Sequence, residues 1–86
     1  MTTTYRFELE TLNASNALLR IIMVFARRRL TLNELHWGRV DIANRVKLSV
    51  YVDCTPVQAT ELNGQLGRII EVVAVSMVPE LAQAAA

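Results

Sequence analysis

The sequence predicts an α+β fold of two layers, in which a four-stranded antiparallel sheet carries two helices on one face. Three observations lead to this fold class. A length of 86 residues suits one domain, apolar residues follow both strand-like and helix-like periods, and these segments come in the order βαββαβ. Because parallel crossovers are right-handed, the order favours the split βαβ arrangement of the ferredoxin-like fold, with strand one between strands three and four.

Four segments predict the strands. Residues 5–9 and 46–52 alternate strictly between apolar and polar side chains, the period of a strand with one buried face. Residues 32–40 alternate imperfectly, which indicates a bulge, and residues 72–78 form a β-branched run that Pro79 ends. The sheet face without helices is then expected to be polar, with opposite charges that pair across strands. Its residues are Arg6, Glu8, Glu10, Lys47, Ser49 and Tyr51.

Two segments predict the helices. From Leu18, apolar residues recur at intervals of three and four, and the run 27–29 of three arginines follows, where cations are favoured beside the exposed carbonyls of a helix end. That run is interpreted as a solvated helix end, with contact to an anionic ligand or a docking partner as the alternative. The second helix is expected to begin at "TPVQ", with Thr55 as N-cap, Pro56 at the first helical position and Gln58 completing a capping box.

Composition and motif content argue against most catalytic and nucleic-acid-binding functions. Nine basic and eight acidic residues give a net charge of +1, without the basic excess of a nucleic-acid binder. The free sheet face offers one aromatic, Tyr51, for base stacking. Cys54 and His36 are single residues of their types without spacing that implies contact, and no metal or phosphate motif is present. We expect no catalytic residue, no metal ligand and no cofactor in this chain.

The ends of the chain carry two further expectations. The start, "MTTT", has no basic region followed by an apolar stretch, and no window reaches bilayer length, so a cytoplasmic protein that does not bind membranes is predicted. Residues 1–78 are expected to form one domain. Residues 79–86, rich in alanine, are predicted to form a frayed tail because they offer little bulk for docking.

The sequence resembles one family over residues 5–78. The stretches "NALLRIIMVFARRRLTLNEL", "VKLSVYV" and "LNGQLGRIIEVVAVSMV" look like the ACT domain of the small regulatory subunit of acetolactate synthase (acetohydroxyacid synthase), of the short single-ACT type. The segment "VFARRRLTLNEL" is similar to the family pattern Phe-x-x-Arg-Arg-Gly-aromatic-Asn-Ile. The segment "QLGRIIEVVAV" is similar to the ending Gln-Leu-x-Lys-hydrophobic-x-Asp-Val-x-x-Val. Neither segment is a catalytic signature.

The resemblance implies a partner rather than a reaction. In that family the large catalytic subunit holds thiamine diphosphate, a divalent metal and FAD, and it works in branched-chain amino-acid biosynthesis. The small subunit activates it and in many members conveys feedback inhibition by valine. ACT domains also pair side by side through the first helix and second strand, which implies a homodimer with a continuous eight-stranded sheet.

The resemblance also implies where an effector would bind. The family uses the turn before the first helix and residues before the second strand of a neighbouring chain, with the helix N-terminus receiving an amino-acid carboxylate. Asn13 matches the family's asparagine, whereas Asn16 and Arg29 stand where the family has glycine and Thr31 stands where it has asparagine. Valine sensing is therefore expected to be weak or absent, and a helix cap at Asn13 or Ser15 is the simpler interpretation of the turn. The candidate effector residues are Asn13, Ser15, Asn16, Ala17, Thr31 and Leu32.

Apolar residues outside the helix stripe indicate a partner surface. Met23 and Val24 lie on flanks that a lone two-layer domain tends to leave wet. The candidate dimer or partner contacts are Met23, Val24, Arg27, Leu35 and Trp37. Two alternatives remain open: a free-standing ACT-type amino-acid-binding or dimerisation module that regulates another enzyme, and a small enzyme of the acylphosphatase kind, whose motifs are not recognisable here.

Overall fold

The computed structural model describes residues 2–12, 16–40 and 44–79, which form one antiparallel sheet of four strands and two helices. The elements are β1 (Thr3–Leu12), α1 (Ala17–Arg27), β2 (Leu32–Val40), β3 (Arg45–Cys54), α2 (Pro56–Gly67) and β4 (Val72–Pro79). The strand order is β2-β3-β1-β4, so β1 and β3 are central and β2 and β4 are the edge strands. The predicted βαββαβ fold and the predicted position of strand one are therefore confirmed. The last predicted tail residues, 80–86, lie outside the described residues.

The core lies between the sheet and the helices. β1 and β3 pair in register from Thr3 opposite Cys54 to Leu12 opposite Arg45, so their alternate side chains share one buried face. The helices close this face with two stripes at helical spacing. Phe7 and Phe25 meet edge to face, with ring centroids 5.6 Å apart. The buried apolar residues of the two helices are Ala17, Ile21, Phe25, Ala59, Leu62 and Leu66.

The start of α2 forms the predicted capping box. The Thr55 hydroxyl accepts the Gln58 backbone N–H at 3.1 Å, and the Gln58 side-chain oxygen accepts the Thr55 backbone N–H at 2.9 Å. Pro56 occupies the first helical position, where its missing N–H leaves no bond unmade. Both described helices are too short and too polar to cross a bilayer.

β2 is irregular, as its imperfect alternation predicts. Its register against β3 shifts between Leu32 and Glu34 and again between Trp37 and Val40. Gly38 lies at the second shift, and a Cβ there would approach the Lys47 carbonyl oxygen to 2.8 Å. The backbones of β2 and β3 therefore come too close at this point for any side chain but hydrogen.

The sheet face opposite the helices carries the predicted cross-strand pairs. Glu8 accepts a hydrogen bond from the Ser49 hydroxyl at 2.6 Å, and Arg45 pairs with Glu10 at 2.9 Å. Within β1, Arg6 also lies 3.1 Å from the Glu8 carboxylate. These charged side chains are at least partly exposed, so each pair contributes only modestly to stability.

Candidate functional site

The start of α1 is the first candidate site. Asn13 and Ser15, predicted as effector contacts or caps, lie outside the described residues. Asn16 is the N-cap of α1; its backbone carbonyl accepts the Arg20 N–H at 3.0 Å, but its side chain makes no capping hydrogen bond. Its φ of −94° lies in the ordinary right-handed region, so the absence of glycine at this position costs no backbone strain. The exposed Asn16 side chain occupies space at the helix start that a glycine would leave open.

Ala17, the next candidate, is fully buried. Its side chain packs into the core, so only its backbone N–H is available to a ligand at the helix start. This N–H belongs to the first turn, whose donors lack intrahelical partners. The chemistry available from the described part of this turn is thus a set of backbone donors at the positive end of a helix.

A carboxylate beside this turn was not predicted from the sequence. The Leu12 backbone N–H donates to the Glu71 carbonyl at 2.8 Å, which brings Glu71 next to the end of β1. The Glu71 side chain is 17 % exposed and lies 3.6 Å from Arg20. One of its oxygens is buried without a hydrogen-bond partner among the described residues. A negative group here opposes an incoming carboxylate, and no local pattern before β4 signals that its position is next to α1.

Thr31 and Leu32 lie at the other end of α1. The helix has 11 residues, which corresponds to about 16 Å at its usual rise. Thr31 is exposed and Leu32 is half-buried at the start of β2. Within one chain these residues are therefore too far from Asn16 to share a small ligand with it, and a joint site requires a second copy.

The turn that links α1 to β2 explains the conformation of Arg29. The Leu30 N–H donates to the Phe25 carbonyl and the Arg29 N–H to the Ala26 carbonyl, the paired bonds of a Schellman motif. Arg29 has φ of 57°, the left-handed conformation that this motif needs and that glycine adopts at least cost. The backbone at the family's glycine position thus keeps the geometry that glycine favours, although the residue is arginine.

Three of the five predicted partner contacts lie on the flank of α1 that faces α2. Val24 is half-buried and packs against the core, and both Val24 and Arg27 line a groove that α1 forms with residues of α2 and the turn after it. Met23 is 41 % exposed and lies at the margin of the same groove. This flank of α1 is therefore directed toward the second helix and not toward the edge strand.

The other two predicted contacts lie on the edge strand β2. Leu35 is half-buried against the core, whereas Trp37 is 39 % exposed on the same side of the strand. Leu18 and Ile22, both half-buried, lie on the flank of α1 opposite its contact with α2. β2 pairs with β3 on one side only, so the backbone N–H and C=O groups along its other edge have no partner strand. An apolar strip, formed by Leu18, Ile22, Leu35 and Trp37, lies beside this open edge.

Cys54 and His36 do not form a catalytic pair. Cys54 is buried, and burial followed by the nearby Asp53 carboxylate raises the pKa of its thiol. His36 lies on the exposed sheet face, where its Nε2 is 2.9 Å from Glu34 and its ring stands edge to face with Tyr51. A nucleophile requires a lowered pKa or an adjacent base, and Cys54 has the opposite environment. In the described ranges no three His, Cys, Asp or Glu side chains are grouped for metal binding.

Comparison of the chain with known proteins gives structural matches only. The sequence matches no protein-family profile and no curated protein. It superposes on the acetolactate synthase small subunit from Thermotoga maritima with a TM-score of 0.79 and 18% identity, covering 93% of this chain and 50% of that one. It also superposes on the ACT domain from GTP pyrophosphokinase of Chlorobium tepidum, with a TM-score of 0.76, 10% identity and coverage of 91% and 100%.

A third match is an uncharacterized protein from Thermotoga maritima, with a TM-score of 0.76, 16% identity and coverage of 93% and 99%. At these identities the likeness establishes the fold and leaves the function open. The chain therefore has the ferredoxin-like fold found in ACT domains, in agreement with the fold predicted from its sequence.

Proposed function

We propose that this chain is a non-catalytic regulatory module of the ACT type that activates the catalytic subunit of acetolactate synthase. The observation that carries the proposal is the match of the βαββαβ fold to a small subunit of that enzyme, in a chain whose own resemblance covers residues 5–78. The buried Cys54 thiol, whose pKa is raised by burial, also favours a regulatory role over a catalytic one.

The proposed module acts as a homodimer through α1 and β2. The open edge of β2 can pair with β2 of a second copy, and the apolar strip of Leu18, Ile22, Leu35 and Trp37 can be buried by the same contact. Such pairing extends the sheet from four strands to eight and satisfies the free backbone groups of the edge. It also brings Asn16 of one copy within reach of Thr31 and Leu32 of another, which no single copy achieves.

Trp37→Glu tests the dimer. A charge in the buried strip is expected to convert the protein to a monomer, measured by light scattering coupled to size exclusion. Val57→Glu is the matched control, because Val57 is also an exposed apolar residue but lies at the start of α2. A Trp37→Glu protein that stays folded and dimeric would contradict the proposed interface.

Reconstitution tests the proposed partner. The purified acetolactate synthase large subunit, loaded with thiamine diphosphate, a divalent metal and FAD, is assayed for acetolactate formation with and without this chain. We expect a higher rate and stronger retention of cofactors in the complex. If the chain neither binds the large subunit nor changes its rate, the proposal is wrong.

Valine titration tests the effector site. Because Asn16 and the Glu71 carboxylate crowd and oppose a carboxylate ligand, valine is expected to bind weakly or not at all by calorimetry. Asn16→Gly should raise the affinity if the remaining site is intact and only obstructed. Unchanged binding in that variant would assign the turn to a helix start.

The alternative is a free-standing ACT-type module that regulates another enzyme. The matches to an ACT domain from a GTP pyrophosphokinase and to a homoserine dehydrogenase support it, since these proteins share the fold and differ in activity. Tight binding of an amino acid, combined with no effect on the acetolactate synthase large subunit, would favour this alternative.

A further inference from the structure

The three-arginine run at the end of α1 contributes to a groove that the proposed dimer leaves uncovered. This interhelical groove lies between α1 and α2, on the flank of α1 opposite the strip that faces β2. Its apolar floor is formed by Val24 and Ile69, both half-buried against the core. Its walls are lined by four arginines: Arg20, Arg27, Arg28 and Arg68.

The arginines at the two ends of the groove are neutralised within the chain. Arg28 pairs with Glu61 at 2.7 Å and donates to the Gln65 side chain at 3.1 Å. Arg20 lies 3.6 Å from Glu71. These contacts leave the positive charge of the groove concentrated between its ends.

Arg27 and Arg68 supply that charge. Within the described ranges neither guanidinium has an acidic partner or a hydrogen bond, although both side chains line the same groove. Two like charges beside an apolar floor repel each other, and an anion bound between them lowers this repulsive energy. Guanidinium groups also bind carboxylates through paired hydrogen bonds, which makes arginine suited to this role.

The charge of the whole chain shows that this concentration is local. The net charge is only +1, yet the helices and the turns that follow them carry Arg20, Arg27, Arg28, Arg29 and Arg68 against Glu61 and Glu71. On the opposite sheet face, acids and bases are interspersed, as in the pairs Arg6–Glu8 and Arg45–Glu10. The field of the molecule is thus positive over its helical layer.

We infer that the interhelical groove docks an acidic amphipathic helix of a partner protein, with apolar side chains on Val24 and Ile69 and carboxylates on Arg27 and Arg68. The side chain of Met23, which is 41% exposed, extends the apolar area at the groove margin. A helix of about three turns matches the length of α1, at about 16 Å. Binding of this kind follows the helix-in-groove mode, with anchors at intervals of three and four residues.

The lining favours a protein over a nucleic acid. Among the described residues, those that line the groove include no aromatic side chain on which a base could stack. The inference does not depend on which enzyme the partner is, so it goes beyond the proposed function.

A peptide titration tests the inference. The probe is a fluorescein-labelled helical peptide of about 14 residues with leucines at helical spacing and glutamates beside them, and binding to the full chain is followed by fluorescence anisotropy. A second peptide of the same composition has a scrambled order that removes the apolar face. We expect the first peptide to bind at least about tenfold more tightly than the second, with affinity falling as salt rises.

Charge variants locate the binding. The double variant Arg27→Gln with Arg68→Gln should weaken binding of the amphipathic peptide by at least about tenfold, the loss expected for two exposed ion pairs. Lys47→Glu, on the opposite sheet face, should change the affinity by less than about twofold and controls for net charge. Circular dichroism and the urea midpoint establish that each variant is folded, and Arg27→Gln and Arg68→Gln alone replace the double variant if it is not.

Four results would overturn the inference. Two concern the peptides: the amphipathic peptide does not bind, or the scrambled peptide binds equally well. The other two are equal affinity in wild type and the folded arginine variants, and tighter binding of a single-stranded oligonucleotide than of either peptide. The last result would assign the groove to nucleic acid.

Discussion

The two helices begin in different ways, although each follows a strand and lies on the same face of the sheet. α2 starts with a complete capping box and a proline, so its first backbone donors are satisfied by its own side chains. At the start of α1, the N-cap Asn16 contributes no side-chain bond. A capping box satisfies donors of a helix start within the chain, whereas donors without such partners can accept an anion. Among the described residues, the start of α1 has no side-chain cap of the kind that closes the start of α2.

The helices also end differently. α1 ends in a Schellman motif with Arg29 in the left-handed region, while the residue after α2, Arg68, has an ordinary φ of −88°. The left-handed residue of the helical layer and its uncapped N-cap side chain therefore both belong to α1. The stability of α1 should depend more on packing and less on its ends than that of α2 does.

The largest expected effect tests this dependence on packing. Phe25→Ala removes a fully buried ring that meets Phe7, and we expect a loss of about 3–5 kcal/mol in the free energy of unfolding, measured by urea denaturation. Leu62→Ala, the corresponding truncation in α2, should cost about 2–5 kcal/mol. A loss below about 1 kcal/mol for Phe25→Ala would show that α1 does not rely on this contact.

A smaller effect separates the two helix starts. Thr55→Ala removes the cap of α2 and should cost about 1 kcal/mol of unfolding free energy. Asn16→Ala removes a side chain that makes no capping bond and should change stability by less than about 0.5 kcal/mol. Equal losses in the two variants, measured by thermal and urea denaturation, would contradict the contrast between the helices.

A gain in stability is expected at the end of α1. Arg29→Gly removes the strain of a left-handed residue with a Cβ, but it also makes the unfolded chain more flexible, which offsets part of the gain. We expect a net increase of about 0.5–1 kcal/mol in the free energy of unfolding. Arg29→Ala is the matched control, since it shortens the side chain but keeps a Cβ in the left-handed region. If both variants have the same stability, the strain at this position is negligible.

The smallest effect concerns the end of β3. The pKa of Cys54 is raised in the folded protein from an ordinary value of 9.0, so the folded state keeps the thiol proton where the unfolded chain has lost it. Its contribution to stability is complete below pH 9.0 and is lost as the pH rises above that value. Wild type should therefore lose more stability between pH 7.5 and pH 10 than Cys54→Ala does, in urea midpoints measured side by side. A loss of equal size in both proteins would contradict the raised pKa.

Local patterns in the sequence account for most of the fold. Strict alternation in β1 and β3, the "TPVQ" start of α2 and the stripe of α1 each depend on residues close together in the chain, and the structure confirms them. The irregular register of β2 was indicated by its broken alternation. The close approach of Gly38 to Lys47 was not, because it depends on how two strands meet.

The candidate sites depend on long-range contacts and were less predictable. Glu71 comes beside the start of α1 only through pairing of β1 with the segment before β4. Val24 and Arg27 were predicted as partner contacts because the helical period places them off the core stripe. The period alone cannot say which flank of α1 faces α2; in the structure both residues line the interhelical groove.

The position of β1 in the sheet has a consequence for hydrogen exchange. β1 is bonded to β3 on one side and β4 on the other, so its amides exchange with solvent only when the whole domain opens. The outward amides of β2 face no strand in a single copy and should exchange within the dead time of the measurement. Their protection in concentrated protein would therefore report pairing between copies residue by residue, with β1 as the internal reference for global opening.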